Sequence, residues 1–190
     1  MPTTSNTIAN RAINLIGNNQ TAITGEYPNF DGSAAGLASN TLYAGVVQTV
    51  GRTFGFDFSR NIATLALSGN PTTPVGWVYE YLYPTNGIQV RQIMPSVQTD
   101  LNDPLPSNWS EGNILVSGLV KKVIWTNIQN ALAVITNQPQ EDLWDSLFAE
   151  EVVRLLASEL AMAVSGKPDV AKDNLESSAA FGKVAVTRDS

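Results

Sequence analysis

Apolar residues recur every three to four positions at both ends of this chain and every second position in its middle. Near the start, Ile8, Ala12, Leu15 and Ile16 share one helical face. Thr4 or Ser5 suits the cap of that helix and Gly17 suits its end. From Asn18 to Gly32 few apolar residues stand among Gly25, Pro28, Asn29, Asp31 and Gly32, which predicts a loop. A second helix is expected from about Asp31 or Ser33 to about Val50, carrying Tyr43, Val46, Val47 and Val50, with Phe54 beyond. Gly36 and Gly45 weaken it by about 1 kcal/mol each relative to Ala, but they also permit close helix–helix approach.

After Asn70 the period changes. Pro71 and Pro74 interrupt the chain, and Trp77-Val78-Tyr79-Glu80-Tyr81-Leu82-Tyr83 then alternates strictly, placing four aromatics on one strand face. Pro84-Thr85-Asn86-Gly87 has turn chemistry, and Ile88-Gln89-Val90-Arg91 resumes the alternation. The two runs predict an antiparallel pair. Ser96 to Asn113 is polar, holds Pro104 and Pro106, and reads as an exposed excursion. Ile114 to Val116, Lys121 to Trp125 and Ala131 to Ile135 are further strands, the last two joined by a polar turn at Asn127 to Asn130.

Helical spacing returns from about Gln140 to Val164 through Leu143, Trp144, Leu147, Phe148, Val152, Leu155, Leu156 and Leu160. Gly166-Lys167-Pro168 ends that helix and starts a weakly apolar one with Val170, Leu175 and Ala179. The predicted class is α+β: a bundle of about four helices with a small inserted antiparallel sheet. Residues 1–70 and 139–180 form the bundle, 71–138 the insert, and 181–190, lacking periodicity, a flexible tail.

Composition narrows the function classes. Charged residues are only 15% of the chain, and neutral polar residues take their place. Such a surface costs less to desolvate than a charged one and suits extensive protein contact. A net charge of −6 argues against a nucleic-acid backbone or an anionic membrane as principal partner. With no cysteine or histidine there is no disulfide, no thiolate or imidazole metal ligand and no histidine base. No apolar run approaches the ~18 residues that span a bilayer. Met1 to Ser5 lacks the basic-then-apolar order of a signal peptide.

Candidate chemistry is sparse. Ser165-Gly166-Lys167-Pro168 has the Gly-Lys pair of a phosphate loop without its other residues. Asp100, Asp103 and Glu111 share one loop region but lack the regular ligand spacing of a calcium loop, so solvated carboxylates are expected. Glu150 and Glu151 point about 100° apart on a helix and, with Glu159, read as a solvated face rather than an acid–base pair. Lys121 and Lys122 read as edge-strand charges. The Trp77, Tyr79, Tyr81, Tyr83 row fits a sheet's buried face, a protein interface or a small-ligand surface; without basic interleaving it does not suit stacking on nucleic acid. No cofactor, metal or catalytic group is predicted.

One set of features points to a family. The Ile16-Gly17 helix end is followed by Phe54, Phe56, Phe58 and Arg60, then Leu65 and Leu67. Next come Gly76-Trp77-Val78-Tyr79-Glu80-Tyr81-Leu82-Tyr83-Pro84-Thr85-Asn86, Ile88 and Val90. Lys122-Val123-Ile124-Trp125-Thr126-Asn127 precedes the helix of Trp144, Phe148, Leu155-Leu156-Ala157 and Leu160-Ala161. From roughly Ile8 to Ala180 this order resembles the head-to-tail adaptors of short-tailed bacteriophages, also called tail tubular protein A or head-completion proteins. The family often carries a Trp in a Pro-Trp context before the Phe-rich stretch, where this chain has Gly51-Arg52-Thr53-Phe54, so that part of the core is expected to be rebuilt.

The resemblance implies a structural virion protein, not an enzyme, made in the host cytoplasm and placed at the virion neck. It implies a homo-oligomeric ring of about twelve copies, a closed cyclic assembly, beneath the portal protein. That ring extends the channel through which DNA passes without sequence-specific binding, and offers a platform to tail nozzle, fibre or spike proteins. By the same resemblance Pro168 to Ser190 is a portal-binding arm, with Pro168, Leu175, Phe181, Val184 and Arg188 as its contacts. Thr85, Asn86, Asn102, Asp103 and Trp109 would face the tail. Ordering the arm on the portal would template the ring. The alternatives are another phage neck or tail-completion protein, or a cell-wall-active hydrolase using the acidic residues.

Overall fold

The computed structural model describes residues 3–17, 22–53, 56–70, 73–97, 107–116, 118–137 and 140–188, with side chains as far as 184. Within them lie four α-helices and two three-stranded antiparallel sheets, the α+β class expected. The chain divides into a helical unit, Met1–Ser59 with Gln138–Ser190, and a β unit, Arg60–Asn137. The β unit thus opens at Arg60, earlier than residue 71, because Arg60–Thr64 is itself a strand.

In the helical unit α1 spans Ser5–Leu15, with the Thr4 side chain accepting from the Thr7 N–H as its cap. Glu26 reinforces this end by accepting from Ser5 Oγ and from the Asn6 N–H at 2.8 Å, where a carboxylate meets the positive end of the helix. Asn6 and Asn10, one turn apart, pin the following loop: Asn6 Nδ2 donates to the Ile23 and Gly25 carbonyls, and Asn10 exchanges two bonds with the Ile23 backbone. The buried face is Ile8, Ala9, Ala12, Ile13 and Ile16, whereas Leu15 is exposed.

α2 spans Ala34–Thr53. Ser33 starts it, its Oγ accepting from the Gly36 N–H at 3.0 Å. Tyr43, Val46, Val47 and Val50 are buried as the spacing predicts, while Phe54 lies outside the described residues. Gly36 is required by a close approach, since a Cβ there would stand 2.3 Å from the Asp31 carbonyl oxygen.

The long carboxyl-proximal helix is shorter than expected. Glu141–Leu143 forms a 3-10 turn that leaves Leu143 exposed. The chain is extended at Trp144 and Asp145, and α3 runs Ser146–Leu160. Asp145 sets this start by accepting from the Leu147 N–H at 2.8 Å, a cap that the apolar period alone does not reveal. Phe56, Phe58 and Trp144 surround Phe148, with ring centroids 4.8 to 5.2 Å from it. A π-helical turn, Ala161–Ser165, and left-handed Gly166 then lead into α4, Pro168–Arg188.

α4 departs from expectation twice. It continues through residues 181–188, which were expected to be aperiodic tail. No proline or glycine pair interrupts that stretch, and the Arg154 guanidinium lies 4.9 Å over the Phe181 ring. Its buried stripe is Ala171, Asn174, Ser178 and Gly182, not Leu175 and Ala179. Small residues let α4 approach α3 closely enough for Ser158 Oγ to reach the Ala171 carbonyl at 2.8 Å.

In the β unit β1 (Arg60–Thr64), β6 (Ala131–Asn137) and β3 (Gly87–Pro95) form one sheet in the order β1-β6-β3. β2 (Tyr79–Leu82), β5 (Leu119–Thr126) and β4 (Trp109–Val116) form the other in the order β2-β5-β4. The expected β2–β3 pair therefore does not form, and β5 and β6 belong to different sheets. Pro84 offers no N–H to continue a hairpin, and the Tyr83 N–H bonds the Lys122 carbonyl of β5 instead. Trp109 to Asn113, read as part of a loop, belongs to β4. The two sheets share a core of Leu65, Tyr81, Val90, Ile93, Ile124, Ala131, Ala133 and Ile135, joined by Tyr79, Tyr83 and Trp109. Most of the aromatic row is thus the sheet's inner face.

Candidate assembly surfaces

In each unit apolar side chains stand unburied where regular structure presents them. In the β unit, β4 and β5 make a hairpin in which Val116 faces Leu119 and Leu115 faces Val120. Gly118, with φ +80°, supplies the left-handed backbone of its turn. Leu115, Leu119 and Val120 are 72%, 66% and 71% exposed, so the tip is an aliphatic projection. Further along the hairpin Lys122 pairs with Glu111 at 2.6 Å and lies 3.8 Å over the Tyr83 ring. Glu111 is therefore held by a lysine. Asp100 and Asp103 lie outside the described residues.

Glu80 sits behind the hairpin and is only 3% exposed. It accepts from Ser68 Oγ at 2.5 Å and from Trp125 Nε1 at 2.7 Å. The Trp125 ring covers Gly112, where a Cβ would stand 2.0 Å from it. The alternating pattern places Glu80 opposite the tyrosines but gives no sign of this buried network.

In the helical unit α2 and α4 flank α3, and a groove opens between them. One stretch of it, about 160 Å³, is lined by Thr49, Val50 and Thr53 of α2, Glu151 and Leu155 of α3, and Leu175, Ser178 and Ala179 of α4. An adjoining stretch of about 250 Å³ continues past Leu42, Gly45 and Val46 to Glu159. The two glutamates expected to share a solvated face have separate fates. Glu150 is bonded to Arg11 and, at 3.0 Å, to Arg154. Glu151 is 2% exposed, and its Oε2 has no hydrogen-bond partner. Burial pushes its carboxyl up to about 8. A signal for this was present in the sequence: Glu151 follows Phe148 by three and precedes Leu155 by four, on the apolar face.

Of the residues expected to meet the portal, Pro168 begins α4, and Leu175 and Val184 are 51% and 58% exposed upon it. Phe181 packs beneath Arg154 of the same chain. Arg188 ends the helix, its side chain lying outside the described ones. Of those expected to face the tail, Thr85 and Asn86 form an exposed turn, whereas Trp109 packs on the β core. Asn102 and Asp103 lie outside the described residues. Among the described residues no three acidic side chains cluster in a way that would hold a metal ion. No helix described is long and apolar enough to cross a membrane. No family model matches the chain, and no curated protein matches its sequence.

Proposed function

We propose that this chain is a structural virion protein: a head-to-tail adaptor that assembles as a ring below the portal, extends the DNA channel and carries the tail. The observation that supports this reading is that large aliphatic side chains stand exposed on regular elements of both units, at the β4–β5 tip and, as Leu175 and Val184, on α4. Exposed large aliphatics grouped on regular elements suit protein contact. Exposed aliphatics on both units suit a protein that joins two partners. The resemblance in element order adds the identity of those partners, portal on one side and tail nozzle or spike on the other.

The test is cosedimentation with purified portal rings and with the tail nozzle. Replacing Leu175 and Val184 by Asp should abolish portal binding and leave nozzle binding intact. Replacing Leu115 and Val120 by Asp should do the reverse. Binding of both partners by both variants, or of neither partner by the wild type, would refute the adaptor assignment.

A further inference from the structure

Each sheet of the β unit has two edge strands, and three of these four edges are guarded against a further strand. β1 is five residues long and begins with Arg60. The edge of β2 is taken by the chain itself: the Leu82 N–H bonds the Ala66 carbonyl, and the Ser68 N–H bonds the Glu80 carbonyl. β3 has register shifts between Gly87 and Gln89 and between Val90 and Gln92, and ends in Pro95. Short strands, bulges, prolines and edge charges are the devices that stop a sheet from pairing with another chain. β4 lacks them. It is eight residues long, pairs with β5 without a register shift, and contains no proline and no cation. Its one carboxylate, Glu111, is drawn to Lys122 on the β5 side. Among the described residues no strand lies along its other edge, so every second N–H and carbonyl there points outward.

We propose that β4 is an interface between two copies of this chain, the two β4 strands pairing antiparallel so that one sheet runs β2-β5-β4-β4-β5-β2. Faces and charge together select the register. Trp109, Glu111, Asn113 and Leu115 share the face of Ile124, and Ser110, Gly112, Ile114 and Val116 share the other. A two-fold axis through the sheet sets each face against its like, so the axis must pass through a residue of β4 and not between two. On Glu111 it would set two carboxylates opposite each other, and on Asn113 it would set Glu111 against Leu115. Positions nearer either end shorten the ladder. On Gly112 it sets Glu111 against Asn113, Ser110 against Ile114 and Trp109 against Leu115. Lys122, which faces Asn113 on β5, then stands in one row with Glu111 of the second copy, opposite in charge. Leu115, 72% exposed in the single chain, gains the indole of Trp109 as its neighbour, with Val120 extending the apolar row. The contact lies wholly in the β unit and holds whether or not the adaptor reading does.

The test is sedimentation velocity of the full chain across a concentration series, with NMR to read the register. The wild type should pass from monomer to dimer with Kd on the order of 10 µM, since one strand pair is smaller than a standard interface. Asn113→Glu faces Lys122 within its own chain, so the fold is kept, but it meets Glu111 of the second copy. Because the dimer contains that clash twice, Kd should rise about tenfold. Asn113→Lys should associate at least as tightly as the wild type. Leu115→Ser, at an exposed position, should weaken the dimer by about tenfold through loss of the two Trp109 contacts. Within one copy Trp109 and Leu115 stand at opposite parts of β4, about 20 Å apart, so a nuclear Overhauser effect between the Leu115 methyls and the Trp109 ring can only be intermolecular. A mixed-label sample should show it. A chain that stays monomeric across the series, or association that Asn113→Glu and Leu115→Ser both leave unchanged, would overturn the β4 interface. A dimer without the Trp109–Leu115 effect would overturn the register.

Discussion

Replacing Glu151 by Gln isolates one proton in the helical core. In the folded chain the carboxyl is raised from about 4.5 to about 8 by burial. A raised acid holds its proton in the native state across that window, while the unfolded chain has released it. Native stability is therefore complete below about pH 4.5 and falls as pH climbs to about 8. The slope limit is about 1.4 kcal/mol per pH unit, so the whole window carries at most about 5 kcal/mol. The groove lets water approach, and screening of that kind lowers the expected loss to roughly 2–3 kcal/mol. Neighbouring charges do not supply the shift: α2 and α4 line the groove with Thr49, Val50, Thr53, Leu175, Ser178 and Ala179, all neutral. Gln has the same shape and cannot ionise. Urea unfolding of both proteins from about pH 5 to about pH 9 gives the difference directly, because every other titration cancels. The two should match near pH 5, and the Gln variant should lead by roughly 2–3 kcal/mol near pH 8.5. Carbon-13 titration of the Glu151 carboxyl should show its midpoint well above the ordinary range. A stability difference that is flat with pH would refute the reasoning, and a normal midpoint would locate the error in the burial of Glu151.

Other substitutions test the elements that position these surfaces. Asp145→Ala removes the acceptor for the Leu147 N–H and should cost about 1 kcal/mol in urea unfolding, with Asn largely rescuing it. Gly36→Ala should destabilise by about 2 kcal/mol in a thermal or urea melt, despite alanine's better helix propensity, because its Cβ meets the Asp31 carbonyl. Trp125→Phe leaves buried Glu80 without its indole donor and should cost about 1–3 kcal/mol; a double-mutant cycle with Glu80→Gln should show coupling between the two.

The elements were legible because their periods are local. Val46, Val47 and Val50 announce the buried face of α2, and the alternating tyrosines announce the inner face of β2. Strand partnership was not legible, because alternation looks the same whether β2 pairs with β3 or with β5. The choice is made at Pro84 and by the Tyr83 N–H turning to Lys122, both tertiary events. The packing face of α4 was inverted for another reason. Counting apolar positions selects Leu175 and Ala179, but close approach to α3 selects the smallest side chains, and these include Ser178 and Gly182. Glu151 is of a type that suggests solvent, although its spacing to Phe148 and Leu155 places it inward.

The inverted face of α4 changes the energetics of the adaptor reading. A tail that gains order only on the portal would hold back free assembly by about 1–2 kcal/mol of backbone entropy per residue. Residues 181–188 are already helical in the single chain, so most of that cost has been met in folding. The exposed Leu175 and Val184, with Leu115, Leu119 and Val120 in the β unit, favour association without a template. What opposes it is the net charge of −6, repeated on every copy brought into a ring. On this reading, restraint on premature assembly comes from mutual repulsion. The portal's contribution is then to supply positive charge and aliphatic contacts together, rather than to order a loose arm.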